Sequence, residues 1–301
     1  MGMISVVFFG SGPVAAKSLE LLAKNFEIEA VVTKPQPPHH KEEFPVLTLT
    51  KSNDIKVFTA QNKQELSELF ATKPVKSHLG VVIDYGVIIA KDVIDYFPLG
   101  ITNSHFSLLP EWRGADPITF SILSGQSETG VSLMLISEKL DEGTLLKQTS
   151  LRITGNMTTP LLTDRLIDLS DQMLTESIPD YIAGKLTPYP QDLTKPATYS
   201  RKLTKQDGVI DWAKPAQQIE REIRAYTGWP NSSSQIASKD VIIVKVRVID
   251  KNGQPGKAIA DDKQLIVYCG KQALAIDRLK PAGKKEMSSE AFLAGYKHLL
   301  T

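Results

Sequence analysis

Asn103 and His105 stand two residues apart at the end of an extended run, Leu99-Gly100-Ile101-Thr102, and Asp141-Glu142-Gly143 follows downstream. Side chains alternate along a strand, so Asn103 and His105 project to the same side. An amide and an imidazole on one face suit chemistry at a carbonyl carbon. The amide N–H binds a developing oxyanion, while the imidazole donates a hydrogen bond or moves a proton. Asp141 could orient the imidazole and stabilise its charge. Taken alone, Asn-x-His also describes a loop histidine beside a polar neighbour, and Asp-x-Gly a turn aspartate holding its own backbone.

Such residues need a scaffold that presents strand ends. Ile4-Ser5-Val6-Val7-Phe8-Phe9 is the apolar run of a strand buried on both faces of a parallel sheet. Gly10-Ser11-Gly12 turns the chain, and Pro13 fits the first turn of a helix with apolar positions Val14, Leu19, Leu21 and Leu22. Strands at 28–32, 55–58 and 79–83 alternate with helices near 45–53 and 62–72. In open α/β sheets ligands bind outside the carboxyl ends of strands, where both Asp84-Tyr85-Gly86 and the Asn103/His105 segment fall. A helix over 116–124, strands over 129–136 and 145–153, and a helix over 160–182 complete an α/β domain with a Rossmann-like, mostly parallel sheet. Gly143 is expected to permit the reversal after Asp141.

Residues 10–15 also match the dinucleotide fingerprint G-x-G-x-x-A. The second strand ends in Thr33-Lys34, with no acid for a ribose, so these glycines are read as serving a tight, well-packed turn. Lys34 to Glu43 holds three prolines and no apolar residue, which predicts an irregular surface loop. His39 and His40 there are adjacent, point in different directions and have no third ligand nearby, so no metal site is expected.

Thr187-Pro188-Tyr189-Pro190-Gln191 and Lys195-Pro196-Ala197 read as an interdomain linker. The expected organisation is a catalytic domain over 1–189, a linker over 190–205 and a second domain over 206–301. The second domain opens with Asp211-Trp212 and a helix over 214–226. Short strands follow at 234–236, 241–249, 257–259, 264–269 and 273–279, separated by Asn252-Gly253, Pro255-Gly256 and other turns. That pattern predicts a smaller β-barrel, OB-like and open.

The chain has 301 residues and 42% hydrophobic composition, enough for two cores of unequal size. Cys269 is the only cysteine, which excludes an internal disulfide and a thiolate metal cluster, and its apolar setting predicts a buried thiol. No apolar run approaches the roughly eighteen residues of a membrane span, and no basic leader precedes the first strand, so a cytoplasmic protein is expected. The net charge of +1 hides a split. Residues 201–301 hold 18 Lys and Arg against 11 Asp and Glu, a balance of +7, while the first 200 hold 17 against 23, a balance of −6. A basic half could meet a polyanion or simply carry a solvated lysine surface.

The string Asn103-x-His105-x-Ser107-Leu108-Leu109-Pro110-x-Trp112-Arg113-Gly114-Ala115, followed by Asp141-x-Gly143, closely resembles the signature of formyltransferases that use 10-formyltetrahydrofolate. The resemblance implies a catalytic triad of Asn103, His105 and Asp141. It also implies a folate-contacting run Ser107-Leu108-Leu109-Pro110 and a pterin pocket shaped in part by Tyr85 and Gly86. In the second half Asp211-Trp212, Ile223-Arg224-Ala225-Tyr226, Trp229-Pro230 and Lys280-Pro281-Ala282-Gly283-Lys284-Lys285 resemble the C-terminal domain of the methionyl-tRNA formyltransferases. That implies initiator Met-tRNA as partner, contacted by Lys280, Lys284, Lys285 and Arg224, a folate co-substrate, no metal, and a monomeric enzyme. Residues 34–43 depart from the family's pattern, in which this loop carries arginine and several lysines that enter the acceptor stem; here there are two lysines and no arginine. A sugar-nucleotide N-formyltransferase, acting on a UDP-amino sugar, is the alternative enzyme with this signature. A catalytically silent folate- or tRNA-binding protein is the alternative outside enzymes, and the intact Asn103, His105 and Asp141 set argues against it.

Overall fold

The computed structural model describes residues 2–36 and 42–300. Of the loop expected at 34–43, residues 37–41, with His39 and His40, lie outside the described residues.

In β1 (Ser5–Phe9), Val6, Val7, Phe8 and Phe9 are all fully buried, as a strand covered on both faces requires. Around it lie β2 (Glu27–Thr33), β3 (Val57–Thr59), β4 (Gly80–Val82) and β5 (Ile101–His105). These are linked by α1 (Pro13–Leu22), α2 (Pro45–Ser52), α3 (Lys63–Ala71) and the short α4 (Lys91–Tyr96), which has no counterpart in the sequence reading. Pro13 opens α1, and the Asn62 side chain caps α3 by accepting from the amides of Gln64 and Glu65.

After β6 (Arg113–Gly114) and α5 (Pro117–Ser124), β7 (Glu128–Leu135) and β8 (Leu145–Arg152) extend the sheet, and α6 (Thr159–Ile182) follows. The order is β3-β2-β1-β4-β5-β7-β8, parallel from β3 to β5, with β7 antiparallel to β5 and β8 antiparallel to β7. Strand order reverses between β1 and β4, the place where such sheets open a crevice. There the amide of Ser11 donates to the Asp84 carbonyl at 3.0 Å. A Cβ on Gly10 would lie 2.8 Å from the Ile83 carbonyl oxygen, and one on Gly12 would lie 2.0 Å from the Asp84 carboxylate. The glycines of the fingerprint-like turn are thus needed for this close approach.

Among the described residues, those within 1–117, 128–152 and 163–200 form one compact unit, and those within 118–127, 153–162 and 201–301 a second. The stretch expected as a linker contributes β9 (Tyr199–Ser200), which pairs in parallel with β6 inside the first unit.

The second unit is built on α7 (Ala216–Ala225) and six antiparallel strands: β10 (Ser232–Ile236), β11 (Lys239–Ile249), β12 (Ala258–Asp261), β13 (Gln264–Tyr268), β14 (Ala273–Pro281) and β15 (Met287–Ser288). They run β10-β11-β14-β13-β12, with β15 on β14, so among the described residues the OB-like sheet is open at β10 and β12. Ile219 and Ile223 of α7 and Phe292 and Leu293 of α8 (Ser289–Tyr296) fill the core with Ile243, Leu265, Val267 and Ile276. Sequence reading missed α8, although Ser288 caps it by accepting from the Ala291 amide. Cys269 is buried beside this core, and burial pushes its thiol up to about 11. No helix among the described residues is long and apolar enough to cross a membrane.

Candidate active site

β5 lies between β4, with Val82 opposite Asn103, and β7, with Ser132 opposite His105. Ser104 points to the other face, where its hydroxyl meets that of Ser170 at 2.6 Å. Asn103 and His105 therefore share a face, as alternation requires. Asn103 is half-buried and His105 buried.

His105 Nε2 lies 3.0 Å from the carbonyl oxygen of Trp112. A carbonyl only accepts, so Nε2 carries the proton in this bond. Nδ1 then faces Asp141 Oδ1 at 3.8 Å, longer than a hydrogen bond, and the two form an ion pair only when the ring is protonated. The other carboxylate oxygen, Oδ2, accepts from the Gly114 amide at 2.7 Å. Both the imidazole and the carboxylate are thus tied to the turn at 112–114. Gly114 has φ +110°, and a Cβ there would come within 2.3 Å of the Ser200 carbonyl oxygen. The pairing of β6 with β9 fixes that turn, helped by the Thr198 hydroxyl, which accepts from the Trp112 amide at 2.8 Å.

Asp141 itself adopts φ +53°, a left-handed conformation uncommon outside glycine but tolerated by Asp. The reversal was expected to rest on glycine at 143. Gly143 is instead needed for clearance, since a Cβ there would lie 1.7 Å from the Leu135 carbonyl oxygen. Sequence reasoning left two participants unassigned. Arg113, buried, pairs through Nη1 with Glu142 at 3.0 Å and donates through Nη2 to Gln191 Oε1 at 2.7 Å. Gln191 Nε2 donates to the carbonyl oxygens of Asp141, at 2.8 Å, and Gly143, at 3.0 Å. The only available signal was Arg113 inside the signature; Gln191 had none.

The run after β5 divides in two. Ser107 is buried, with its hydroxyl donating to the Glu111 carbonyl at 2.5 Å and its own carbonyl accepting from Ser132 at 2.6 Å. Pro110 is also buried, and Leu109 packs with Met134 and Leu145. Leu108 is half-exposed. Tyr85 packs against Phe9 with ring centroids 5.8 Å apart. Its hydroxyl is buried without a hydrogen-bond partner among the described residues, and burial raises its pKa. Gly86 is exposed at φ +71°. Among the described residues no group of three His, Cys, Asp or Glu side chains is placed to hold a metal.

Core packing and ligand contact can be separated along this run. Leu109→Ala should lower stability by about 2 to 5 kcal/mol, the usual cost of such a cavity, with the loss read in the melting curve. If Leu108 meets the folate that the resemblance implies, Leu108→Asp should leave Tm nearly unchanged and raise the folate Kd measured by calorimetry. A Leu108 variant that melts early and still binds folate normally would reassign Leu108 to packing.

In the second unit Lys280, Lys284 and Lys285 are exposed at the end of β14 and in the turn after it. Glu286, in the same turn, pairs with Arg278. Arg224 stands differently. Its Nε and Nη2 bond Glu220 at 2.5 and 3.0 Å, and Nη1 donates to the Met157 carbonyl at 3.0 Å. The guanidinium is half-buried, with Nε, Nη1 and Nη2 all engaged within the second unit.

Residues 4–178 match the formyl transferase family and residues 202–297 its C-terminal domain, so sheet, site and second domain together define a formyl transferase. The methionyl-tRNA formyltransferase of Roseiflexus castenholzii is 33% identical over 97% of this chain and 96% of its own length. That of Pseudomonas fluorescens is 36% identical over 96% of this chain and 92% of its own. The chain belongs to the methionyl-tRNA formyltransferase family.

Solved structures show the fold at lower identity. An N-formyltransferase from Helicobacter canadensis, in complex with folinic acid and dTDP-3-aminofucose, superposes with a TM-score of 0.68 at 21% identity, covering 91% of this chain and 99% of that one. HypX from Aquifex aeolicus, in complex with tetrahydrofolic acid, gives 0.66 at 16% identity over 98% of this chain. This chain spans about half of HypX, 48% of its length.

Proposed function

We propose that this protein transfers the formyl group of 10-formyltetrahydrofolate to the α-amino group of methionine on initiator tRNA, giving formylmethionyl-tRNA and tetrahydrofolate. The observation that carries this reading is the match to methionyl-tRNA formyltransferases across both halves of the chain. The amine nitrogen attacks the formyl carbon, and the bond from that carbon to the folate nitrogen breaks as the tetrahedral intermediate collapses. Asn103 donates its amide N–H to the oxyanion, with His105 beside it. The proton released by the amine is taken up at the His105–Asp141 pair, where the carboxylate supports the imidazolium, and is returned to the departing folate nitrogen, giving tetrahydrofolate. Leu108, Gly86 and the Tyr85 hydroxyl border the folate, while Ser107, Leu109 and Pro110 shape the loop that presents it.

Residues 1–189 supply the reacting groups, 190–205 pack against the loops of the site and lead onward, and 206–301 bind tRNA through Lys280, Lys284, Lys285 and Arg224. The enzyme acts as a monomer in the cytoplasm, where charged initiator tRNA is found. Supplying 10-formyltetrahydrofolate with either charged initiator tRNA or a UDP-amino sugar, and identifying the formylated amine, tests the reading. Transfer to the sugar alone would replace it with a sugar-nucleotide N-formyltransferase; folate binding without transfer to either would leave a binding protein.

The lysines make a separate prediction. Each phosphate contact releases counterions, so log K falls with log salt by about 0.7 to 0.9 per contact. Lys284→Ala with Lys285→Ala should weaken tRNA binding and flatten that slope by about one to two units, leaving the rate at saturating tRNA unchanged. An unaltered slope would make these lysines a solvated surface.

A further inference from the structure

We infer that Gln191 is a positioning residue for the reaction, holding Asp141 at its working distance from His105 from outside the signature motif. This rests on the proposed formyl transfer and deepens it.

Asp141 sits in a left-handed conformation on an exposed loop, with exposed residues at 140, 142 and 144. Such a residue keeps its geometry only where its surroundings over-determine it. Its carboxylate is fixed at one oxygen by the Gly114 amide, 2.7 Å away. Its backbone is fixed by Gln191, whose single amide nitrogen spans the carbonyls of residues 141 and 143 at 2.8 and 3.0 Å. Gln191 is only 6% exposed, and its oxygen accepts from Arg113 Nη2 at 2.7 Å. Arg113 directly precedes Gly114, and its other terminal nitrogen pairs with Glu142, the residue after Asp141.

The 112–114 turn and the 141–143 loop are therefore joined three times: through the Asp141 carboxylate, through the Arg113–Glu142 ion pair, and through Arg113 and Gln191. Of the three only Gln191 holds the loop's backbone, at the carbonyls of 141 and 143; without it the loop can shift on its two side-chain joints and carry Oδ1 away from Nδ1. Arg113 cannot replace Gln191, because a guanidinium has no acceptor, and the chain Arg–Gln–carbonyl needs a side chain that accepts at one atom and donates at the other. A primary amide does both.

Gln191→Glu keeps length, shape and the oxygen on Arg113 but removes both N–H donors. It should lower kcat for formylation of Met-tRNA on the order of 10²-fold, the scale of a misplacement near one ångström, with KM for folate and tRNA little changed. In an Asp141→Asn background, where the carboxylate's contribution is already gone, the same change should cost less than about threefold, since residues that act through one another are non-additive. A merely structural glutamine would multiply its effect in both backgrounds. The cycle is read by single-turnover formylation well below each variant's Tm. If the glutamate variant lacks a cooperative melting transition, Gln191→Met, of similar length, replaces it in the same cycle. Near wild-type kcat in the single variant, or equal factors in the two backgrounds, overturns the role of Gln191 while leaving the function intact. A wild-type enzyme that formylates no Met-tRNA overturns both.

Discussion

Asp141→Asn is expected to lower kcat by three to four orders of magnitude, on the scale of the corresponding change in a Ser-His-Asp triad, with folate affinity preserved. The size follows from what the amide can satisfy. Asp141 Oδ2 accepts from the Gly114 amide, so an asparagine that keeps this bond must place its oxygen there and turn its NH2 toward His105. His105 Nε2 is already committed as donor to the Trp112 carbonyl. The new NH2 therefore faces the Nδ1 lone pair, donates to it, and locks the ring in the neutral tautomer just where a proton should be accepted. The opposite flip sets an amide donor against the Gly114 N–H and leaves that N–H without its acceptor. Single-turnover rates and folate titrations on the purified variant separate the two effects. An Asn variant within tenfold of wild type would remove the buried carboxylate from the mechanism.

Asn103→Ala should lower kcat by about 10²- to 10³-fold, the usual cost of losing one oxyanion donor, about 2.7 to 4 kcal/mol, and His105→Ala by at least as much as Asp141→Asn, since Asp141 acts through this imidazole. Both side chains lie on the same face of β5, held by β4 and β7 on either side, so neither replacement should collapse the strand. The oxyanion exists only after the amine has attacked, and its donors therefore act on kcat more than on ground-state binding. Folate Kd should move little. The double variant should cost less than the product of the singles, because both groups serve one tetrahedral centre. A His105→Ala enzyme with near wild-type kcat would end the assignment.

Much of this arrangement could be read before folding. Alternation along β5 is local, and it placed Asn103 opposite in sense to Ser104 and alike in sense to His105. The apolar run of β1, the proline opening α1 and the glycine after α6 marked elements that exist as expected. The Glu220–Arg224 pair was legible too, since residues four apart on a helix meet. β6 and β9 could not be read in this way. Each is two residues long and acquires its meaning only by pairing with a segment more than eighty residues away.

The sequence by itself determined the βα alternation, the shared face of Asn103 and His105, the second domain's run of short strands, and the family. These are properties of period and motif, carried by neighbours along the chain. Tertiary structure alone decided how Asp141 reaches the imidazole. It made residue 141 the left-handed position and residue 143 the one without room for a Cβ. It turned Ser107 inward and drew Gln191, 50 residues from Asp141 and 78 from Arg113, into the same network. Those choices depend on which carbonyls and amides remain unpaired once the sheet closes, and a buried polar group takes its partner from whatever the fold brings near, at any separation in sequence.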